Sequence, residues 1–476
     1  MLRRTKIVAT LGPATDAPGV LEDVIRRGTD VVRVNFSHGK PGDHRKRVDA
    51  VRQAAAAVGK HVAVLGDLQG PKIRIERFAG GAAMLTEGES FTLDPGLDSH
   101  EGTDRAVGMT YPDLATDVQP GDELILGDGQ IELRVVGVEG ARVECRVLTG
   151  GELTDHKGIN RRGGGLSAKA LTDKDREDVR LAASLEVDYL AVSFVRQADD
   201  VEEARTLLKA AGSDARIVAK IERSEAIPRL EEIIKASDAV MVARGDLGVE
   251  VGYAQLTGLQ KQILHMARSL DRVTITATQM MESMIHSPVP TRAEVSDVAN
   301  AVLDGSDAVM LSGESAVGKY PSRAVEAMAE VIEGAEKYQL ARSSHPERFE
   351  GRVTEFAQAI AHAVMFTANH MDVEAIVALT ESGSTPLWMS RIRSDIPIFA
   401  FTRHERTQRR VALYRGVYPI PFDITHTDPA GLYRAISREL ISRGYVSPGD
   451  ELILTLGEFS GVSGGTNTMK LLTVEQ

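Results

Sequence analysis

Eight short runs of apolar, mostly β-branched residues recur along the first two thirds of the chain, and helical patterns such as residues 20–27 and 225–236 separate them. The runs are residues 4–11, 30–36, 61–67, 189–195, 216–222, 239–243, 273–278 and 307–312. Strands that are apolar on both faces are typical of parallel sheets covered by helices. Eight such strands, each followed by a helix, predict a closed α/β (β/α)8 barrel of the TIM type. An open doubly wound sheet is the alternative, but the first strand leads into Leu11-Gly12-Pro13-Ala14, which lacks a dinucleotide-binding glycine pattern.

The alternation stops between residues 71 and 167. Short alternating segments there are separated by turn sequences such as Glu87-Gly88, Asp94-Pro95-Gly96 and Gly150-Gly151, and no long helical pattern occurs. These features predict a small all-β barrel domain inserted after the third barrel strand. The insertion leaves from the carboxyl end of a strand, where active sites of such barrels lie, so we expect it to act as a lid.

A polar connector at residues 341–347 separates the barrel region from a second α/β pattern. Its apolar runs lie near residues 375–380, 397–401, 416–420, 451–456 and 467–473. They predict an independent C-terminal α/β domain with an open sheet. The expected domains are a catalytic barrel (1–70 and 168–340), a lid (71–167) and a C-terminal regulatory domain (341–476).

Composition excludes several classes of protein. The 476 residues include 56 basic and 68 acidic ones, and the net charge of −12 disfavours binding of nucleic acid through the overall field. Aromatic residues make up only 4%, so base-stacking platforms are not expected. The single cysteine, Cys145, rules out an intrachain disulfide and suggests a cytoplasmic protein. No apolar run of about 18 residues predicts a membrane span, and no signal-peptide pattern follows the basic N-terminus.

Polar residues at the carboxyl ends of the predicted barrel strands form a coherent set. Lys220 and Glu222 are two positions apart and therefore point to the same face of their strand. Asp246 follows the next strand, Arg33 belongs to the end of strand two, and Arg74 follows strand three. Two carboxylates suit Mg2+, and the cations suit phosphoryl oxygens, so the set favours a metal-dependent phosphoryl site. Three alternatives remain. Lys220 and Glu222 could form a purely structural ion pair, Glu222 and Asp246 could form an acid–base dyad, and Asp246 could cap a helix.

One pattern in the chain is similar to a phosphate-binding P-loop, but we reject that interpretation. Residues 313–319 (GESAVGK) have the glycine and lysine spacing of a P-loop, but Tyr320 follows where serine or threonine would bind Mg2+. Glu314 would also place a negative charge inside the loop.

Nine segments spread over the whole chain resemble the pyruvate kinase family. They are 5–15 (TKIVATLGPAT), 33–39 (RVNFSHG), 66–74 (GDLQGPKIR), 157–160 (KGIN), 219–226 (AKIERSEA), 241–250 (MVARGDLGVE), 275–284 (ITATQMMESM), 290–321 (PTRAEVSDVANAVLDGSDAVMLSGESAVGKYP) and 380–386 (TESGSTP). Within the family the chain is most similar to the bacterial form that responds to AMP or sugar phosphates. The resemblance implies a cytoplasmic homotetramer that carries out the last step of glycolysis, in which phosphoenolpyruvate and ADP give pyruvate and ATP.

The resemblance also assigns roles to individual residues of this chain. Lys220 would stabilise the transferring phosphoryl group, and Thr278 and Ser312 would lie near the water path that protonates the enolate. The implied sets are Arg33, Lys220, Thr278 and Ser312 for catalysis; Arg33, Lys220, Gly245, Asp246 and Thr278 for substrate; Asn35, Phe36, Ser37, His38, Arg74 and Lys157 for the nucleotide; and Glu222 and Asp246 for Mg2+ or Mn2+.

The chain departs from a common family pattern at residues 68–72 (LQGPK), where many members have Thr-Lys-Gly-Pro-Glu. In the glutamate form, residues matching Asn35, Ser37, Asp67 and position 68 bind a monovalent cation. The ammonium of Lys72 would lie near that place, so we expect that K+ is not required. The alternative is that Lys72 faces solvent at the lid hinge.

In the C-terminal region, residues 380–386 follow a strand and begin a helix, which suits a phosphate because hydroxyls and amides converge there. The resemblance implies an allosteric phosphorylated effector at Thr380, Ser382, Gly383, Ser384 and Thr385, with residues 457–466 closing over it. A well-capped helix with a surface loop is the alternative, and Glu381 argues against a phosphate.

Two other classes of function remain to be weighed. A different barrel enzyme acting on pyruvate-like enolates, such as an aldolase or mutase, would share Glu222 and Asp246 but would not need Lys157 or the inserted domain. A non-catalytic sensor of phosphorylated metabolites would be expected to have lost residues such as Lys220 or Thr278, and both are present. The phosphotransferase is therefore favoured.

Overall fold

A computed structural model describes residues 2–127, 129–342, 353, 355–423, 431–457 and 465–475. The chain divides into two compact units. The first comprises Met1–Asp67, Ala182–Leu190 and Leu264–Gln476, and the second comprises Leu68–Leu181 and Ala191–Ile263.

Eight parallel strands form a closed barrel, which confirms the predicted architecture over an open doubly wound sheet. Numbered along the chain, they are β1 Lys6–Thr10, β2 Val31–Asn35, β3 Ala63–Asp67, β12 Tyr189–Val192, β13 Arg216–Ile221, β14 Ala239–Ala243, β15 Val273–Ala277 and β16 Ala308–Leu311. Their order around the barrel is β1-β16-β15-β14-β13-β12-β3-β2. Strands β1, β3, β14 and β15 are buried along their whole length, because helices cover the outer face of a parallel barrel.

The described helices follow the strands in the predicted alternation. They are α1 Val20–Arg26, α2 Pro41–Val58, α3 Leu114–Asp117, α4 Asp173–Ser184, α5 Ala198–Ala210, α6 Leu230–Ala236, α7 Arg244–Val251, α8 Tyr253–Ser269, α9 Arg292–Leu303, α10 Gly313–Ala316, α11 Pro321–Arg342, α12 Phe356–Ala368, α13 Ser384–Ser390, α14 Glu405–Val411 and α15 Leu432–Ser442. Three short 3-10 helices lie at Pro13–Thr15, Ser224–Arg229 and Glu282–Ile285.

Two predicted elements differ from the structure, each for a local reason. The strand expected at 189–195 ends at Val192, because Phe194 has a φ of 56° and leaves the extended conformation. The helix expected at 225–236 is a 3-10 helix followed by α6, with Pro228 inside the 3-10 part. Proline lacks the N–H that a continuous α-helix needs at that position.

The inserted segment is built from β-strands, as predicted, apart from the single-turn helix α3. Its strands are β4 Ala82–Leu85, β5 Ser90–Leu93, β6 Ala106–Val107, β7 Glu123–Leu126, β8 Ile131–Glu139, β9 Arg142–Thr149, β10 Gly151–Thr154 and β11 Ile159–Arg161. Six form a sheet in the order β11-β7-β8-β9-β5-β6, and β10 pairs with β4. Single bridges from Arg74 to Gly158 and from Ile75 to Met109 link residues 74–75 to chain beside both edges of the larger sheet. The segment has a buried core of its own.

The C-terminal region contains a five-stranded open sheet, as expected. Its strands are β17 Ala375–Leu379, β18 Ile398–Thr402, β19 Val417–Pro421, β20 Glu451–Gly457 and β21 Thr466–Thr473, in the order β19-β18-β17-β20-β21. All pairs are parallel except β20 with β21. Residues 343–347 of the predicted connector lie outside the described residues.

Candidate active site

Lys220 and Glu222 lie at the carboxyl end of β13 and form a buried ion pair. Lys220 Nζ is 2.9 Å from Glu222 Oε1, and the two side chains are 11% and 3% exposed. A buried ion pair is stable only when further hydrogen bonds compensate for lost hydration. Lys220 Nζ donates such a bond to Ser193 Oγ at 2.7 Å. The ion pair of the alternative interpretation is thus present, and it fixes a cation at the end of a barrel strand.

Two residues that the sequence analysis did not select complete this arrangement. The Ser193 hydroxyl accepts from Lys220 and donates to the Leu68 carbonyl at 2.8 Å. The Phe194 N–H donates to Glu222 Oε2 at 2.8 Å from a left-handed backbone. Positive φ is costly for a bulky residue and is found where function constrains the chain. Their position after β12 was the available signal, because it is the same rule that selected Lys220.

Lys72, Arg74, Lys157 and Asp246 line one cleft of about 480 Å3. Lys72 is half-buried there rather than turned to bulk solvent. Burial lowers the pKa of Lys72, and the neighbouring Arg74 and Lys220 lower it further, whereas Asp246 and Glu222 act in the opposite direction. Lys72 therefore belongs to the same electrostatic cluster as both predicted metal carboxylates.

The backbone holds Arg74 and Lys157 together in this cleft. Arg74 Nη1 donates to the His156 carbonyl at 3.2 Å, and Ile75 N donates to the Lys157 carbonyl at 2.9 Å. His156, directly before Lys157, has a φ of 58°. Two cations predicted to bind the nucleotide are thus brought together by main-chain geometry.

Gly245 and Asp246 lie in the first turn of α7, which starts immediately after β14. The N-cap position belongs to Ala243, and Asp246 is the third helical residue. The alternative in which Asp246 caps the helix is therefore wrong. A carboxylate in the first turn is nevertheless stabilised by the helix dipole, and first-turn amides can bind an anion.

Glu222 and Asp246 are the predicted ligands of a divalent metal. The described part of the chain contains no group of three or more His, Cys, Asp or Glu side chains placed to hold a metal ion. Mg2+ commonly uses only one or two protein carboxylates and completes its octahedron with water and substrate oxygens. Glu222 and Asp246 fit that requirement.

In the first unit, Arg33 is held near the end of β2 by two hydrogen bonds. Its Nε donates to Asp67 Oδ2 at 2.6 Å and its Nη1 donates to Thr10 Oγ1 at 3.2 Å. Asp67 is buried at the end of β3, opposite Asn35 in the strand register. Two positions of the expected monovalent-cation set, Asn35 and Asp67, are therefore adjacent.

The chain after β2 forms a tight turn. The Ser37 N–H donates to Asn35 Oδ1 at 3.0 Å, and the His38 N–H donates to the Asn35 carbonyl at 3.4 Å. The Phe36 ring is buried and packs edge-on against His44. The Phe36 side chain therefore belongs to the core, so only the backbone of Phe36 could contact a nucleotide.

Thr278 and Ser312 follow β15 and β16 and have unusual backbones. Thr278 has a φ of 67°, which is strained for a β-branched residue, and its hydroxyl donates to the Ala277 carbonyl at 2.6 Å. Buried Glu314 accepts from Ser312 N at 2.7 Å and from Met281 N at 3.1 Å. Glu314 therefore anchors both loops, a role that the sequence did not reveal.

The predicted effector loop follows β17. Thr380 Oγ1 accepts from the Gly383 N–H at 2.9 Å, and the Ser382 and Ser384 hydroxyls are 2.9 Å apart. Thr385 is buried, and its hydroxyl bonds to that of Thr466 at 2.7 Å. Glu381 pairs with His404 and with Arg403. Residues 458–464 of the segment expected to close over this loop lie outside the described residues.

Comparison with known families identifies both regions of the chain. Residues 2–325 match the profile described as "Pyruvate kinase, barrel domain", and residues 358–472 match "Pyruvate kinase, alpha/beta domain". This chain belongs to the pyruvate kinase family.

Named members of the pyruvate kinase family align with the chain over almost its whole length. Pyruvate kinase II of Salmonella typhimurium is 53% identical over 100% of this chain and 99% of the relative. Pyruvate kinase of Haemophilus influenzae is 50% identical with the same coverage, and that of Mycobacterium tuberculosis is 42% identical over 98% of both chains.

Membership of the pyruvate kinase family supports the phosphotransferase reaction between phosphoenolpyruvate and ADP, with pyruvate and ATP as products, and a divalent metal such as Mg2+. It disfavours the aldolase, mutase and P-loop interpretations. Within the described residues, no helix combines the length and apolar character required to span a membrane.

Proposed function

We propose that the chain transfers the phosphoryl group of phosphoenolpyruvate to ADP at the carboxyl ends of its barrel strands, with Lys220 as the principal stabilising cation. The supporting observation is the buried Lys220 ammonium, held by Ser193 and Glu222 in a cluster with Lys72 and Arg74. In the reaction, the bond between the enol oxygen and phosphorus breaks while an oxygen of the ADP β-phosphate bonds to phosphorus. Positioned cations stabilise the charge on the phosphoryl oxygens.

Glu222 and Asp246 are the proposed ligands of Mg2+, which when bound neutralises charge on the substrate oxygens. The Phe194 N–H orients the Glu222 carboxylate. The amides of Gly245 and Asp246 in the first turn of α7 would bind the substrate carboxylate.

The remaining site residues take the roles implied by the family. Arg33, oriented by Asp67, would bind phosphoryl oxygens. The nucleotide would contact Arg74, Lys157 and the turn at 35–38. The enolate then takes a proton at its methylene carbon by way of water, near the hydroxyls of Thr278 and Ser312.

An assay of pyruvate formation from phosphoenolpyruvate, ADP and Mg2+ tests the reaction. We expect pyruvate and ATP in equal amounts and no product after chelation of the divalent metal. Addition of AMP and of sugar phosphates covers an enzyme that needs an activator. Absence of product under all of these conditions would favour the phosphometabolite sensor instead.

We further propose that K+ is not required, because Lys72 lines the cleft and can supply a positive charge there while it is protonated. The same assay with and without K+ at matched ionic strength decides this. Activity in both buffers supports a role of Lys72 in place of K+, whereas activity only with K+ contradicts it.

Four broader features also belong to this proposal. A phosphorylated metabolite would activate the enzyme through the loop at 380–385, and the enzyme would act in the cytoplasm. A homotetramer is proposed because the resemblance to the pyruvate kinase family implies it. Light scattering that gives a monomer at assay concentration would contradict the tetramer. The expected lid and regulatory domain boundaries remain part of the proposal.

A further inference from the structure

The inserted β segment returns to the barrel through three consecutive glycines in the left-handed region. Gly163, Gly164 and Gly165 have φ values of 78°, 77° and 95°. Other residues adopt this conformation only with strain, so the run of glycines permits a path that a general sequence could not follow. We refer to residues 161–166 as the return segment.

Three residues of the same compact unit contact the backbone of the return segment, two through their side chains and Glu250 through its backbone carbonyl. Glu225 Oε1 accepts from the Gly165 N–H at 2.6 Å, and Arg223 Nη1 donates to the Leu166 carbonyl at 3.1 Å. The Glu250 carbonyl accepts from the Gly163 N–H at 3.1 Å. We call Arg223, Glu225 and Glu250 the anchor cluster.

The anchor cluster is joined directly to the two predicted metal ligands. Arg223 and Glu225 are the first and third residues after Glu222, and Glu250 lies on α7, one helical turn after Asp246. Glu250 Oε2 accepts from the Ser224 N–H at 2.8 Å, which links the two elements to each other. Arg223 and Glu250 are buried, so their side-chain contacts are shielded from water, whereas the contact of Glu225 with Gly165 is exposed.

Gly164 is closely packed against the anchor cluster, whereas Gly163 is not. A Cβ atom at Gly164 would overlap the Ser224 hydroxyl oxygen and the Glu225 carboxylate, whereas a Cβ atom at Gly163 would meet nothing within 4 Å. The two glycines have nearly the same φ. They therefore differ in their neighbours and not in their backbone strain.

The charges of the cluster are compatible with this packing. Glu250 faces Ser224, Glu225 and Arg223; burial raises its pKa to about 7, and the nearby Glu225 contributes in the same direction. Arg223 also lies 3.9 Å from Glu225. The raised pKa of Glu250 reduces the electrostatic cost of placing its carboxyl group near Glu225.

We propose that Arg223, Glu225 and Glu250 are positioning residues that set the placement of Lys157, and with it the affinity for the nucleotide, through the return segment. This inference rests on the proposed function only for the role of Lys157. The short strand β11, Ile159–Arg161, connects Lys157 to the return segment, so we expect a shift of the segment to be transmitted to Lys157 through this strand.

The first test compares Gly164→Ala with its matched control Gly163→Ala. Both introduce the same left-handed strain, so we expect similar losses of Tm. Only Gly164→Ala should displace the Glu225 carboxylate. We expect it to raise the KM for ADP, and the Kd for Mg·ADP measured by calorimetry, by about tenfold, because small displacements of a positioned group are costly. The KM for phosphoenolpyruvate should change little in either variant.

The second test compares Glu225→Ala with Glu225→Gln. The glutamine keeps an oxygen that can accept from the Gly165 N–H, so it should restore most of the ADP affinity that alanine loses. Hydrogen exchange of the Gly165 amide should be faster in Glu225→Ala and close to wild type in Glu225→Gln.

The outcomes separate this inference from the proposed function. A wild-type chain that forms no pyruvate would contradict the function, and the Mg·ADP affinities and amide exchange would still decide the role of the anchor cluster. Equal ADP affinities in Gly164→Ala and Gly163→Ala, or no rescue by Glu225→Gln, would overturn the inference and leave the cluster with a structural role only.

Discussion

Two regions of the chain are predicted to bind phosphate groups, and they hold their polar side chains in different ways. At the end of β13, the buried ammonium of Lys220 is fixed by Ser193 and Glu222. In the loop at 380–385, the half-buried hydroxyls of Ser382 and Ser384 bond to each other. The first region holds a preformed charge, whereas the second offers neutral hydroxyls beside a carboxylate, Glu381, that is already paired with Arg403 and His404.

The two arrangements differ in the free energy needed to bury their polar groups. Burying an ammonium costs hydration energy, and a protein retains such a group where the charge is needed in a fixed place. Neutral hydroxyls contribute only about 1 kcal/mol per hydrogen bond and exchange readily between internal and ligand partners. The first arrangement suits stabilisation of a transition state, and the second suits reversible binding. Substitutions in the two regions should therefore differ in the size and kind of their effects.

The largest effect is expected from Lys220→Met, which keeps the volume of the side chain and removes its charge. We expect kcat to fall by about 10²- to 10³-fold, because one positioned electrostatic contact is lost in the transition state. Pyruvate formation gives kcat, and circular dichroism verifies folding. Lys235→Met, at an exposed lysine paired with Glu231, is the control and should behave as wild type. A loss of less than tenfold in Lys220→Met would place the main phosphoryl contact elsewhere.

A smaller effect is expected from Lys72→Glu, which restores the residue that many family members have. The variant places a third carboxylate near Glu222 and Asp246 and removes the positive charge that we assign to the monovalent-cation position. We expect K+ to activate it by at least about tenfold, equivalent to 1.4 kcal/mol, at constant ionic strength. If K+ has no effect on the variant, Lys72 does not substitute for the ion.

The pH dependence of activity gives a second test of the role of Lys72. Because burial, Arg74 and Lys220 lower the pKa of Lys72, its ammonium loses its proton at a lower pH than that of an exposed lysine. Activity without K+ should therefore fall as the pH rises through this lowered pKa, and K+ should restore it. Lys72→Arg, which stays charged, should lack this alkaline loss. An identical profile with arginine would assign the loss to another group.

The strands of the first region could be predicted from the sequence more completely than its chemistry. Barrel strands are apolar along their length, so the positions of β1 to β3 and β12 to β16 follow from a simple pattern. Lys220 and Glu222 were found because strand ends carry the polar residues. Ser193 lies at a strand end too, but a serine has no charge to distinguish it from an ordinary polar residue.

Backbone conformation accounts for most of what the sequence could not predict. Thr278 and Phe194 have positive φ values that no local preference of threonine or phenylalanine favours, so only tertiary contacts specify them. Glu314 was interpreted as a charge that would repel phosphate, whereas it is buried and accepts two backbone N–H groups. Such long-range contacts have no signature in a single sequence.

The second region should show its role in regulation rather than in the chemical step. Ser382→Ala combined with Ser384→Ala removes both hydroxyls that we expect to face a phosphorylated effector. The ratio of activities with and without AMP, or with and without sugar phosphates, should fall to about one, since each neutral hydrogen bond contributes about 1 kcal/mol. An unchanged ratio would exclude this loop as the effector site.

The smallest effect is expected at Thr385, which belongs to the same loop but differs in its environment. Its hydroxyl is buried against that of Thr466, so we expect Thr385→Val to leave a buried hydroxyl unpaired. The cost should be about 1–2 kcal/mol, or a few degrees of Tm. Replacing both threonines by valine removes the unpaired group, so thermal unfolding of the double variant should recover most of that loss. A double variant less stable than Thr385→Val would show that the two hydroxyls stabilise the fold independently and not through their mutual hydrogen bond.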